Sequence, residues 1–179
     1  TLSSVNIGTS PSEISVVNYE AFIKKDRAWR ASASALVVDR KSFNNVGGWT
    51  SDVFPIDDFD LAFMLGYSGR TIQVITPETT AYRVHATNTV HQASRMIDTV
   101  FKLIRREELG QYPGGRACRF ERRAVIGGLI FFWLKRAVKA KLYGKAFKLL
   151  TVGCPMIFAA IFRRCIAVLR GRRPIETLT

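Results

Sequence analysis

The sequence predicts an α/β fold followed by a helical, strongly basic C-terminal region, and three features carry that expectation. Residues 35–39 (ALVVD) and 71–76 (TIQVIT) have the apolar or alternating character of short strands. Residues 57–69 and 89–109 have the apolar spacing of helices. Beyond Arg116, long uncharged runs alternate with Lys and Arg.

Taken in order, residues 1–11 are rich in Ser and Thr without a sustained period and read as a loop. Residues 13–29 mix Val16, Val17, Tyr19, Phe22 and Ile23 with charges, and read as a strand or a short helix. The run 35–39 is expected to be a buried strand, 40–46 a helical turn, and Gly47-Gly48 a sharp turn or a place where backbone approaches a ligand. Asp57 and Asp58 precede Leu61, Ala62 and Leu65, which places them at the cap and first turn of a helix ending at Gly69, where carboxylates complement the helix dipole. Pro77 ends the strand 71–76, and a second short strand is expected near 81–84. Asn88 or Thr89 caps the next helix, on which Ala93, Ile97, Val100, Phe101 and Ile104 share a stripe, and Gly110 with Pro113 stops it. Residues 112–115 (YPGG) are then a turn or linker.

The charge is uneven. The chain has 179 residues and a net charge of +13; residues 1–100 carry 9 Lys/Arg against 10 Asp/Glu, whereas residues 101–179 carry 18 against 4. Such a basic half attracts a polyanion, either nucleic acid or anionic lipid. The uncharged runs 124–134 and 149–162 fall short of the roughly 20 residues of a spanning helix. Between them Leu134, Val138, Leu142, Ala146 and Leu149 form a stripe, with Lys135, Lys139, Lys145 and Lys148 off it. Trp133 and Tyr143 suit a headgroup layer, and Arg163, Arg164, Arg170, Arg172 and Arg173 can reach lipid phosphates. Two readings stand: helices packed on one another with a solvated basic face, or helices lying in a membrane interface. Three cysteines, Cys118, Cys154 and Cys165, make no CxxC pair and suit a reducing compartment. No helix-turn-helix, RRM or zinc-finger signature is present, so no specific nucleic acid is expected as a partner.

Asp57, Asp58 and Asp60 crowd three carboxylates into four residues, and like charges at that spacing raise at least one pKa toward the range of a general base. The order Gly47-Gly48-Trp49, then Asp57-Asp58-Phe59-Asp60-Leu61, Gly69, a strand, Arg83-x-His85 and Asn88 resembles the C-terminal half of a family 2 inverting glycosyltransferase with the GT-A fold. The match covers roughly residues 32–115, and the first member of the acidic pair is Asp57 where that family usually has Glu.

The resemblance implies that Asp58 is the catalytic base. It makes Asp57, Gly47, Gly48, Trp49 and Arg83 substrate-binding residues and puts His85 at the diphosphate or its metal. It implies a nucleotide-sugar donor, a glycan or lipid-linked acceptor in cell-surface polysaccharide synthesis, and a divalent Mg or Mn. The Asp-x-Asp ligands of that metal belong to a preceding nucleotide-binding half. Nothing here corresponds to that half, and the first residue is Thr1, so a fragment or a protein without a donor site is expected. Asp58 and Asp60 form a literal Asp-x-Asp, but residues i and i+2 of a helix point about 200° apart and grip one ion poorly. Asp60 is therefore expected to decorate an exposed helix start. The expected organisation is residues 1–115 as the acceptor side of a GT-A domain, closed by the helix 89–109. Residues 116–179 follow as a basic helical region at an anionic membrane surface, peripheral on its cytoplasmic face. The rival class is a non-catalytic binding module that holds anionic membrane or nucleic acid through its basic half.

Overall fold

The computed structural model describes residues 13–18, 23, 36–66, 70–76, 88 and 91–170. These form β1 (Glu13–Asn18), α1 (Arg40–Asn45), a 3₁₀ turn (Ser51–Val53), α2 (Asp57–Leu65), β2 (Arg70–Thr76), α3 (Ala93–Glu108), α4 (Arg119–Lys139), α5 (Tyr143–Val152) and α6 (Cys154–Leu169).

The α/β expectation is not met. The described residues are predominantly helical, and their two strands make one antiparallel pair in which Val16 faces Ile72. A parallel sheet is buried on both faces and reads as continuous apolar runs. Here Val16 and Ile72 are both exposed, and no parallel pairing occurs among the described residues. The second half of a GT-A domain is thus not the architecture of this part of the chain. Of the expected strands, 71–76 forms as part of β2 and 81–84 lies outside the described residues; within 13–29, read as a strand or a short helix, residues 13–18 are strand. The run ALVVD does not form a strand: residues 36–39 have no regular structure and Val37 is 99% exposed. Asp39 instead caps α1, accepting hydrogen bonds from Ser42 N at 2.8 Å and Ser42 Oγ at 2.9 Å. Those bonds hold its carboxyl below the usual carboxylate range.

One hydrophobic cluster unites the helices. It joins Phe63 of α2, Ile97, Val100 and Ile104 of α3, Ile126, Ile130 and Trp133 of α4, Leu149 of α5 and Met156 of α6. Of the stripe read on 89–109, Ile97, Val100 and Ile104 are buried together with Met96 and Leu103, Ala93 and Phe101 are partly buried against the same core, and the helix begins at Ala93. Asn88 contributes its carbonyl, which accepts from His91 N at 2.9 Å one turn ahead of the helix. Trp133, expected at a headgroup layer, is 1% exposed in this core; Tyr143 is exposed.

The α4–α6 crossing is close because Gly127 has no side chain. A Cβ there would stand 2.1 Å from the carbonyl oxygen of Met156. The YPGG stretch is a turn wrapped around Arg122, whose Nη1 donates to Pro113 O at 2.8 Å and Nη2 to Gly115 O at 3.0 Å.

Candidate functional site

The expected site residues begin at the end of α1. Gly47 and Gly48 take φ of 86° and 71°; Gly48 N donates to Phe43 O at 2.9 Å and Gly47 N to Asn44 O at 3.1 Å. This is a Schellman ending, and it accounts for the glycine pair by helix termination. Trp49 packs edge-on against Phe43, with ring centroids 6.1 Å apart, and remains partly exposed.

The acidic cluster divides into two functions. Ile56, not an aspartate, holds the N-cap position of α2, so Asp57 and Asp58 occupy its first turn. Both are half-buried, and Asp58 Oδ1 accepts from Phe59 N at 2.8 Å. Asp60 is different from the exposed decoration that was expected: it is 1% exposed. Its Oδ2 accepts from Arg106 Nη1 at 2.6 Å and its Oδ1 from Tyr112 OH at 2.7 Å. Helical geometry explains the division, because i and i+2 face opposite ways and only one of Asp58 and Asp60 can turn to the core.

Arg106 also reaches Asp52, with Nη2 to Oδ1 at 2.9 Å. Burial opposes the charge of Arg106, but Asp60 and Asp52 together raise its pKa above the ordinary value. The Tyr112 hydroxyl is pushed well above the usual phenol range, first by burial and then by the neighbouring Asp60 charge. Two further residues of α3 reach the same segment: the one proton of Thr99 Oγ1 is shared between Phe54 O at 3.2 Å and Arg95 O of its own helix at 3.1 Å, and Lys102 Nζ donates to Asp52 O. Thr99, Lys102 and Arg106 are spaced i, i+3, i+7 and lie on one face of α3. The segment 52–60, carrying Asp57 and Asp58, is therefore pinned at both ends and in the middle.

A second buried pair stands behind this one. Arg122 Nε donates to Glu107 Oε2 at 2.7 Å, and both side chains are almost wholly buried. With Glu107 Oε1 at 3.3 Å and the two turn carbonyls, Arg122 donates to four acceptors, and a buried guanidinium needs such partners.

Arg83 and His85 lie outside the described residues. Among the described residues no group of three or more His, Cys, Asp or Glu converges, and both oxygens of Asp60 are taken by Arg106 and Tyr112; the ligands that the resemblance implies, in a preceding half and at His85, lie outside these residues. An open cleft of ≈ 530 Å³ lies at the opposite end of α3, lined by His91, Arg95, Asp98 and Leu142 among others, and none of the expected site residues that the structure describes borders it.

Sequence reasoning missed Thr99, Lys102, Arg106 and Tyr112. The polar spacing 99, 102, 106 on an otherwise apolar-striped helix was the available signal, but its target lies 45 to 54 residues away. No protein-family model, curated protein or solved structure matches the chain.

Proposed function

We propose that this chain carries the acceptor and base side of an inverting glycosyltransferase of the family 2 kind, working at the cytoplasmic face of a membrane in cell-surface polysaccharide synthesis. The acceptor is a glycan or a lipid-linked sugar and the donor a nucleotide sugar.

In the reaction, the Asp58 carboxylate takes the proton of the acceptor hydroxyl as that oxygen bonds to the anomeric carbon. The bond from that carbon to the nucleoside diphosphate breaks on the opposite face, and the electron pair leaves with the diphosphate. Asp57 orients Asp58 or binds the acceptor; Trp49 and the Gly47-Gly48 turn border the acceptor; Arg83 and His85 meet the diphosphate.

One observation carries the reading: the segment bearing Asp57 and Asp58 is held by three residues of α3, and the pair stands half-buried at a helix start while Asp60 is turned into the core. Proton transfer gains from such positioning, since a base misplaced by about 1 Å loses rate steeply.

The test is Asp58→Asn, assayed in a protein that joins this chain to a nucleotide-sugar-binding half. A base role predicts a fall in kcat of about 10²–10⁴-fold with donor binding unchanged. A full-rate variant would sink the assignment and move attention to Asp57. Asp60→Asn acts through the fold instead. It should lower the urea midpoint, by the equivalent of about 1–3 kcal/mol, before it touches the proton-transfer step.

The second reading is a non-catalytic module that attaches to anionic membrane. It is favoured by the apolar outer face of α5 and α6, and it predicts membrane binding with no transfer under any assay.

A further inference from the structure

The outer faces of α5 and α6 are unusual for surface helices. On α6 the residues Cys154, Phe158, Ile161, Cys165 and Val168 recur at spacings of four and three and are all exposed, with Phe162 and Leu169 beside them. Phe158 is 66% exposed and Leu169 85%. Among the exposed residues within α6 only Arg164 is charged. The opposite face, with Met156, Ala159 and Ala160, is buried on the core, so apart from Arg163 and Arg164 α6 is apolar on both faces. A helix of that kind lies in a protein interior or in lipid. On α5, Tyr143, Phe147 and Leu150 repeat the pattern, and Phe147 is 69% exposed.

The charges that α5 and α6 themselves carry have one sign, with Asp98 of α3 paired to Lys145 and Glu121 of α4 to Arg163 on their inner side. From residue 122 to 175 the chain has 13 Lys and Arg and no Asp or Glu. Lys141, Arg164 and Arg170 are exposed next to these helices, whereas Lys148 lies over the Phe101 ring of α3 at 4.9 Å. A second copy of this chain would bring cations against cations, and a nucleic acid would leave the aromatic faces uncovered. An anionic bilayer answers both the charge and the apolar surface.

Geometry then decides between lying on the bilayer and crossing it. No single helix among the described residues is long and apolar enough to cross, and α5 and α6 pass that test only together, bent by 71°. The bend is built in. A Cβ at Gly153 would stand 2.5 Å from Leu149 O and 2.8 Å from Ile130 Cδ1, so the elbow is seated on α4. Straightening the pair would pull Leu149 and Met156 out of the core and break the Gly127–Met156 approach. Arg163, which the sequence suggested for lipid phosphate, faces inward; its Nη1 donates to Ile23 O at 3.1 Å and lies 3.4 Å from Glu121 Oε2.

We propose that α5 and α6 form a preformed elbow that docks flat on one bilayer leaflet containing anionic phospholipid. It buries Phe147, Leu150, Phe158, Ile161 and Phe162 in the interfacial layer and sets Lys141, Arg164 and Arg170 at the phosphates. This rests on the membrane part of the proposed function and is independent of glycosyl transfer.

The full chain is tested on vesicles of phosphatidylcholine with and without phosphatidylglycerol. The combined substitution Phe147→Gln, Phe158→Gln and Phe162→Gln alters exposed positions only, so helicity and urea midpoint serve as the folding control. Partitioning should fall by about 100-fold or more. Arg164→Gln with Arg170→Gln should weaken binding about fivefold per cation on the anionic vesicles and leave binding to pure phosphatidylcholine unchanged. In Phe158→Trp, fluorescence should be quenched by bromines near the lipid carbonyls and not by bromines at the chain ends.

Unchanged partitioning of the triple variant would overturn the proposal. So would quenching of Phe158→Trp at the bilayer centre, a lipid-free dimer that the same triple substitution dissociates, or tighter binding to RNA than to vesicles. Vesicle binding needs no donor sugar, so an inactive chain that docks this way separates the failure of the glycosyltransferase reading from the failure of this one.

Discussion

The two ends of α3 are tied to the rest of the chain in opposite ways. At its C-terminal end Arg106 and Glu107 enter a buried network with Asp60, Tyr112 and Arg122. At its N-terminal end Asp98 meets Lys145 of α5 at 2.6 Å in an exposed pair beside an open cleft. Each ties α3 to another part of the chain, but the surrounding dielectric makes them different objects. A buried charge that loses its partner has no water to turn to, whereas an exposed one is resolvated at once. The rigid end of α3 is thus the one that holds the Asp57-Asp58 segment.

The largest effect that sharpens this contrast is expected at Glu107. Glu107→Ala removes the carboxylate partner of the buried Arg122 guanidinium, and should cost about 3–5 kcal/mol in urea unfolding. A cost under about 1 kcal/mol would mean that the two ends are equivalent, and the contrast would fail.

Alkaline pH probes the same end more gently. The pKa of Tyr112 is raised on folding, so the folded state favours the neutral phenol. Its contribution is complete below the unfolded value of about 10 and is lost as pH rises above it, at up to about 1.4 kcal/mol per pH unit. Tyr112→Phe has no such proton to lose. The stability advantage of the native chain over Tyr112→Phe should shrink between about pH 10 and 11, and a difference that stays flat there would place the hydroxyl in water rather than against Asp60.

The smallest effect belongs to the exposed end. Lys145→Ala should cost about 0.2–1 kcal/mol, and the difference should fade in high salt as screening replaces the pair. A salt-independent loss of several kcal/mol, about the size expected at Glu107, would show that burial does not distinguish the two ends.

Much of the helical framework was legible because its signals are local. The stripe on α3, the turn at 112–115 and the helical turn after Asp39 follow from period, glycine and capping chemistry within a few residues. Asp57 and Asp58 could be singled out for the same reason. What stayed hidden depends on distant partners. Residues 35–39 look like a buried strand, yet nothing in an apolar run states which sheet would bury it, and Asp39 caps a helix instead. Asp60 looks like one more helix-start carboxylate until Arg106 and Tyr112 arrive from 46 and 52 residues away.

By itself, then, the sequence determined the helix periods, the sign of the charge along residues 122–175, and the crowding of carboxylates at 57–60. Only tertiary structure decided that Trp133 is core and Phe158 is surface, that Asp60 is a lock while Asp58 stays at the helix start, and that α5 and α6 meet in a bend. The physical reason is that apolar and charged side chains announce their chemistry locally, whereas burial is a property of the partner, and the partner is chosen by packing across the whole chain.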